Sequence, residues 1–501
     1  MSAPNDQVEY LAQYLDRDLG AKTLLIEDHY IDRHFMEEVS LYYSSCFVSK
    51  PNSCARLHFF KTAIDDEQLD ALLVSAAQGE GAAVAARLQA SYLGYVVVRP
   101  LPSVPVGRTV LCPMRDDADR RFPTEVGYAA HILGLEIRVS GLAFQQQDVA
   151  VAACATTSVW TALQRVCRHE GERTPTPSAI AQAGSGFLAP AGRVLPSRGL
   201  TIEAMYRAIR SFGYSSVPFQ PAADGQLFKL LVHVYVRSGI PVVLTTTDGL
   251  DHAVAVVGYR RDGDVPAFDL EGAPRTPPLE QTGVPDEDRG SDSAEPRGSE
   301  GDLGLAVLAH NLAYERIYIH DDRLGPYARA RLLTSDEEPF VSIEIELPKG
   351  QSETFAVDAG LAPLYAKVRV TATQLFEAAS ASYHTVERYL RAGTLVGEEE
   401  RIGIELFFER SGNYLGSLHE KGLDAARLAA FLRAASLSRY VGVLRFYAEA
   451  GTPLLDVVLD TTDVFRDRAD PFDLLLAVVA LSPRAHTVAE GMAHDFDVVA
   501  G

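Results

Sequence analysis

Residues 242–259 leave the backbone little choice. Val242-Val-Leu-Thr-Thr-Thr247 is a β-branched run, Asp248-Gly249 is a turn pair, and His252-Ala-Val-Ala-Val-Val-Gly-Tyr259 is a second run. Two such runs around a glycine-containing turn predict an antiparallel hairpin. His252 then opens a strand directly after a turn, where a side chain can face a cleft.

The rest of the chain is organised around that hairpin. With 501 residues, it exceeds what one hydrophobic core usually serves, so several domains are expected. We expect an N-terminal α/β domain over 1–138, a central domain over 139–336 and a C-terminal α+β domain over 337–501. In the first, Val8–Leu19 and Ala82–Leu93 have helical spacing, and Thr23–Glu27, Gly94–Pro100 and Val110–Cys112 read as strands. In the second, Cys154–Cys167 repeats apolar residues at Ala155, Val159, Leu163 and Val166, which buries one face of a helix. Helices over Thr201–Phe212 and Gln226–Val236 follow, and Arg316–His320 is a strand running into the Asp321-Asp322 turn. Residues 273–302 are Pro, Gly, Ser, Asp and Glu with few apolar anchors, the composition of a disordered surface insertion. In the third, strands are expected at Val341–Leu347, Ile402–Glu409, Val441–Tyr447 and Leu454–Leu459, with helices at Ala372–Ala392 and Ala425–Ala435.

Composition excludes some functions. A formal charge of -21 and no long Lys/Arg run argue against a nucleic-acid partner. No apolar run is long enough to span a bilayer, and Met1–Tyr14 is polar, so a membrane partner and a secretory leader are not expected. A cytoplasmic location is expected. Five scattered cysteines without a CxxC read as reduced thiols and not as a zinc ribbon. No cofactor and no metal are expected.

One set of residues could carry chemistry. A thiol becomes a nucleophile when an imidazole takes its proton and a helix start stabilises the thiolate. Cys154 opens a predicted helix, and His252 opens a strand. A carboxylate must orient the imidazole. Asp321 and Asp322 end a strand; Asp269, in Ala267-Phe-Asp-Leu270, is a third choice. An oxyanion needs donors, and Gln145, Gln146 and Gln147 precede the cysteine.

This order of motifs resembles the papain-like cysteine peptidases, and among them the C39-type peptidases. The residues are Gln146-Gln147-Asp148, Cys154-Ala-Thr-Thr-Ser-Val-Trp160, the helix ending in Phe212-Gly-Tyr214, Gly239-Ile-Pro-Val-Val243, His252–Tyr259 and Tyr318–Pro326. The resemblance covers residues 142 to 335. It implies a papain-like central fold in an α+β multi-domain protein. It also implies a cysteine-nucleophile hydrolase, a peptidase first, with a protein or peptide substrate. Cys154 would attack, His252 would move the proton, Asp321 (or Asp322) would orient it, and Gln147 (or Gln146) would serve the oxyanion. A deamidase, an acyltransferase or a non-catalytic binding protein are the alternatives. Elsewhere His233, His320 and Cys167 read as structural. Glu27, Asp28, His29, Asp32 and His58 lack a metal-ligand spacing, and Asp456, Asp460 and Asp463 read as a solvated strand face and turn.

Overall fold

A computed structural model describes residues 4–47, 51–147, 154–184, 200–221, 225–246, 252–261, 267–269, 306–312, 314–334, 340–421, 423–463, 470 and 472–501. The insertion expected over 273–302 lies outside these residues. The chain is mixed α and β, built on several sheets.

The N-terminal region forms a four-stranded antiparallel sheet in the order Thr23–Tyr30, Cys54–Phe60, Tyr92–Val98, Val106–Leu111. Gly94 has φ +119, and a Cβ there would sit 2.1 Å from the Val110 carbonyl oxygen, so only glycine lets these strands close. The helix Arg33–Leu41 starts on Asp32, whose carboxylate accepts from the His34 and Phe35 amides.

The centre is a closed barrel of six antiparallel strands. The order is Tyr314–Asp321, Gly325–Thr334, Val341–Glu346, Ser352–Leu364, Val242–Thr246, His252–Arg261, and the last strand pairs back onto the first. The expected hairpin is present, with His252 opposite Thr246. Closure removes the edges that isolated β-branched strands would expose.

Two expected boundaries fall inside paired structure. Strands Val341–Glu346 and Ser352–Leu364, placed in the C-terminal domain by sequence, complete the barrel. The acidic, proline-ended stretch 335–339 has linker composition, but pairing is set by register at long range. Strand Leu135–Gly141 crosses the boundary drawn at 138 and pairs with Val126–Ile132.

A further seven strands form a mixed sheet. Its order is Ala267–Asp269, Ala306–Ala309, Gly403–Arg410, Tyr440–Tyr447, Pro453–Asp460, Leu475–Ala480, Val499–Ala500. The long helix Ala372–Ala392 begins with a capping box in which Thr371 and Gln374 satisfy each other's backbone amides.

The helix Cys154–Glu170 differs from its expected single buried face. Its residues from Ala155 to Gln164 are all buried. One side lies on the barrel, where Ser158 Oγ donates to the Ala253 carbonyl at 2.8 Å. The other meets the N-terminal region: Trp160 packs edge-on to His34 at 5.4 Å, and Tyr128 donates to Gln164. A helix enclosed between two layers needs no solvent face.

No helix among the described residues is long and apolar enough to cross a membrane.

Candidate active site

Three element ends converge on the barrel rim. The strands His252–Arg261 and Tyr314–Asp321 run antiparallel with Ala255 opposite His320. The start of one therefore lies beside the end of the other. His252 Nε2 sits 3.0 Å from Asp321 Oδ1, with both residues buried. The Cys154 thiol, half-buried at the described start of its helix, hydrogen-bonds the same imidazole. With Nε2 turned to Asp321, Nδ1 is the nitrogen left for the thiol.

The electrostatics separate the two aspartates. Burial works against a charged His252. The Asp321 carboxylate, the hydrogen bonds to Asp321 and Cys154, and the Asp322 charge outweigh it, raising the imidazole to about 10. For Asp321, burial is overcome by His252 and Arg323, which hold its carboxyl well below the usual range. Asp322 goes the other way. Burial, opposed by His252 and reinforced by the Asp321 charge, pushes it up to about 7. Its Oδ1 lies 3.7 Å from His252 Nδ1 and, among the described residues, has no hydrogen-bond partner. Of the two acids, Asp321 is thus the one hydrogen-bonded to the imidazole.

Arg323 fixes Asp321. Its backbone amide donates to Oδ1 at 2.8 Å and its Nη2 to Oδ2 at 3.2 Å, while Nη1 reaches Glu353 at 3.1 Å. Arg323 Nε also lies 3.2 Å from His252 Nε2. While Nε2 keeps its proton and donates it in a hydrogen bond to Asp321, it cannot accept from Arg323, so the guanidinium acts through the shared carboxylate.

The N-terminal helix holds the turn from outside. Gln7 Nε2 donates to the Asp322 carbonyl, and Tyr10 donates to the Pro326 carbonyl at 2.8 Å. A Cβ on Gly325 would stand 2.4 Å from the Tyr10 ring. We expect Gly325→Ala to cost about 1–3 kcal/mol in chemical denaturation, because Tyr10 is anchored at its hydroxyl and cannot swing away freely.

The glutamines sort by their anchors. Gln145 donates to buried Glu38 at 3.0 Å. Gln146 is tied to Val106 through its backbone and side chain. Gln147 is half-buried and shows neither anchor. Residues 148–153, Asp148 among them, lie outside the described ones.

Other sequence candidates do not join the site. Asp269 lies on a strand paired to Ala306–Leu308 in the seven-stranded sheet. His320 packs edge-on to Phe144 and Tyr327, and His233 is buried between Tyr259 and Tyr314. Glu27 is engaged by Arg56 and His58. Asp456 is a correction: it is fully buried, gripped by Arg445 Nε and Nη2 at 2.8 and 2.9 Å. Strand alternation predicted a wet face there, but helix Ser411–Leu418 covers it and Tyr414 donates to Asp456.

His252, Asp321 and Asp322 offer ligand atoms within 4.8 Å of one another, so this set could hold a metal ion. The Arg323 guanidinium already supplies positive charge to Asp321. Gln7, Tyr10 and Glu353 carried no local signal in the sequence; Arg323 did, as the cation directly after two acids.

No family model matches the chain, no curated protein matches it, and no solved structure matches it.

Proposed function

We propose that the protein is a cysteine-nucleophile hydrolase, a peptidase in the first instance. The observation that carries this reading is one buried imidazole joined to a thiol and to a carboxylate, His252 between Cys154 and Asp321. Cys154 Sγ attacks an acyl carbon as the thiolate of a pair in which His252 already holds the proton. His252 returns the proton to the leaving group, and water resolves the thioester. Asp321 keeps the imidazole oriented and favours its charged form. Gln147 and the Cys154 backbone amide serve the oxyanion. The papain-like assignment of the centre and a peptide substrate belong to this proposal. Acyl transfer and deamidation use the same groups with another acceptor or leaving group.

Thiol selectivity tests it. Burial raises Cys54 to about 12 and both Cys112 and Cys167 to about 11. With iodoacetamide at pH 6–7, Cys154 is expected to alkylate at least roughly tenfold faster than any other cysteine. Equal rates across all five would contradict the proposal.

A further inference from the structure

A cavity lies between the seven-stranded sheet and its covering helices, lined by no residue of the Cys154 site. It has a volume of about 320 Å³, and its lining combines the cations Arg237, Lys421 and Arg445 with the acids Glu409 and Glu420 and with Phe407, Tyr414 and Ser417.

The cations there are arranged around one ring. The Arg237 guanidinium lies 4.4 Å from the Phe407 centroid and that of Arg445 lies 5.1 Å from it. Each is fixed from behind. Arg237 Nε donates to buried Glu405 at 2.9 Å, and Arg445 grips Asp456 through Nε and Nη2. These bonds leave both Nη nitrogens of Arg237 and Nη1 of Arg445 without a hydrogen bond among the described residues. Lys421 ends the short helical turn after Leu418. It is half-buried and has no ion-pair partner among the described residues.

A half-buried ammonium beside a second cation calls for an anion. The two remaining acids do not supply it. Glu409 is directed to the Arg410 amide and to Asn413, at 3.0 and 3.2 Å, and Glu420 is exposed. Rigid guanidinium forks and an ammonium suit planar or tetrahedral oxyanions. The volume takes more than a bare inorganic ion, and Phe407 and Tyr414 offer apolar surface.

We propose that this cavity binds a small organic molecule through its carboxylate or phosphate group, held by Lys421, Arg237 and Arg445.

The test is calorimetric titration of the full chain with inorganic phosphate and, separately, with citrate. One saturable site per chain is expected for at least one anion. Saturation by phosphate alone assigns a phosphorylated ligand, and by citrate alone an organic acid. Lys421→Gln, which breaks no ion pair, should weaken binding roughly tenfold or more, and Lys421→Arg should stay within about threefold of the parent. Absence of saturable binding by both anions, or undiminished binding in Lys421→Gln, would overturn the proposal.

Discussion

Replacing Cys154 with alanine is expected to lower hydrolysis of an activated acyl ester by at least roughly 10³-fold, while the unfolding midpoint barely moves. The asymmetry follows from the position of the residue. Cys154 is half-buried, so loss of one sulfur removes little packing. It is also the atom to which the acyl group is attached in the proposed sequence. Without it, water must attack directly, helped only by whatever oxyanion donors remain. Nitrophenyl acetate and a mixed peptide library serve as substrates. Retained turnover in the alanine variant would place the chemistry elsewhere.

Asp321→Asn has the second largest expected effect, and it acts on activity and stability together. Asparagine keeps the shape and can still meet Nε2, but it removes the charge that most strongly offsets the cost of burying the imidazolium. His252 then falls from its raised value, the imidazolium is depopulated at neutral pH, and turnover drops roughly 10²- to 10⁴-fold.

The stability effect has a definite sign. The folded value of His252, about 10, lies above its ordinary 6.5. Its contribution is therefore complete below about pH 6.5 and is lost as pH rises through 10. Asp321 is depressed below its ordinary 3.8, so its contribution is present above that pH and lost on acidification. Asp322 is raised from 3.8 to about 7, so it costs stability progressively as pH rises from about 3.8 to about 7, and the penalty stays constant above that. Breaking the buried pair in Asp321→Asn should cost about 3–5 kcal/mol near pH 5–6. The penalty should shrink toward pH 10. Urea titrations across that range read it directly. A penalty independent of pH would mean that the His252–Asp321 charge interaction is not what stabilises the turn.

Much of the candidate site was legible because its members stand at element ends. Cys154 at a helix start, His252 after a turn and Asp321 at a strand end are placed by local pattern alone. The choice between Asp321 and Asp322 was not legible. Both flank the strand end, and only the turn geometry directs one carboxylate to Nε2 and leaves the other 3.7 Å from Nδ1. Barrel closure was not legible either. It depends on Ser352–Leu364 pairing with Val242–Thr246 more than a hundred residues earlier, a contact with no local signature. The same holds for Gln7 and Tyr10, which brace the Asp322 turn from the other end of the chain. Asp456 shows the opposite failure, where correct strand alternation met a helix that covered the outer face.

The central claim is that one imidazole joins the Cys154 thiol to the Asp321 carboxylate. The most direct measurement is the rate of Cys154 alkylation as a function of pH, in the parent protein and in His252→Ala. In the parent, fast alkylation should already be present at pH 6–7, well below the range of a free thiol. In His252→Ala the rate at that pH should fall at least roughly tenfold and recover only as pH approaches the ordinary thiol range. Identical profiles for the two proteins would contradict the account.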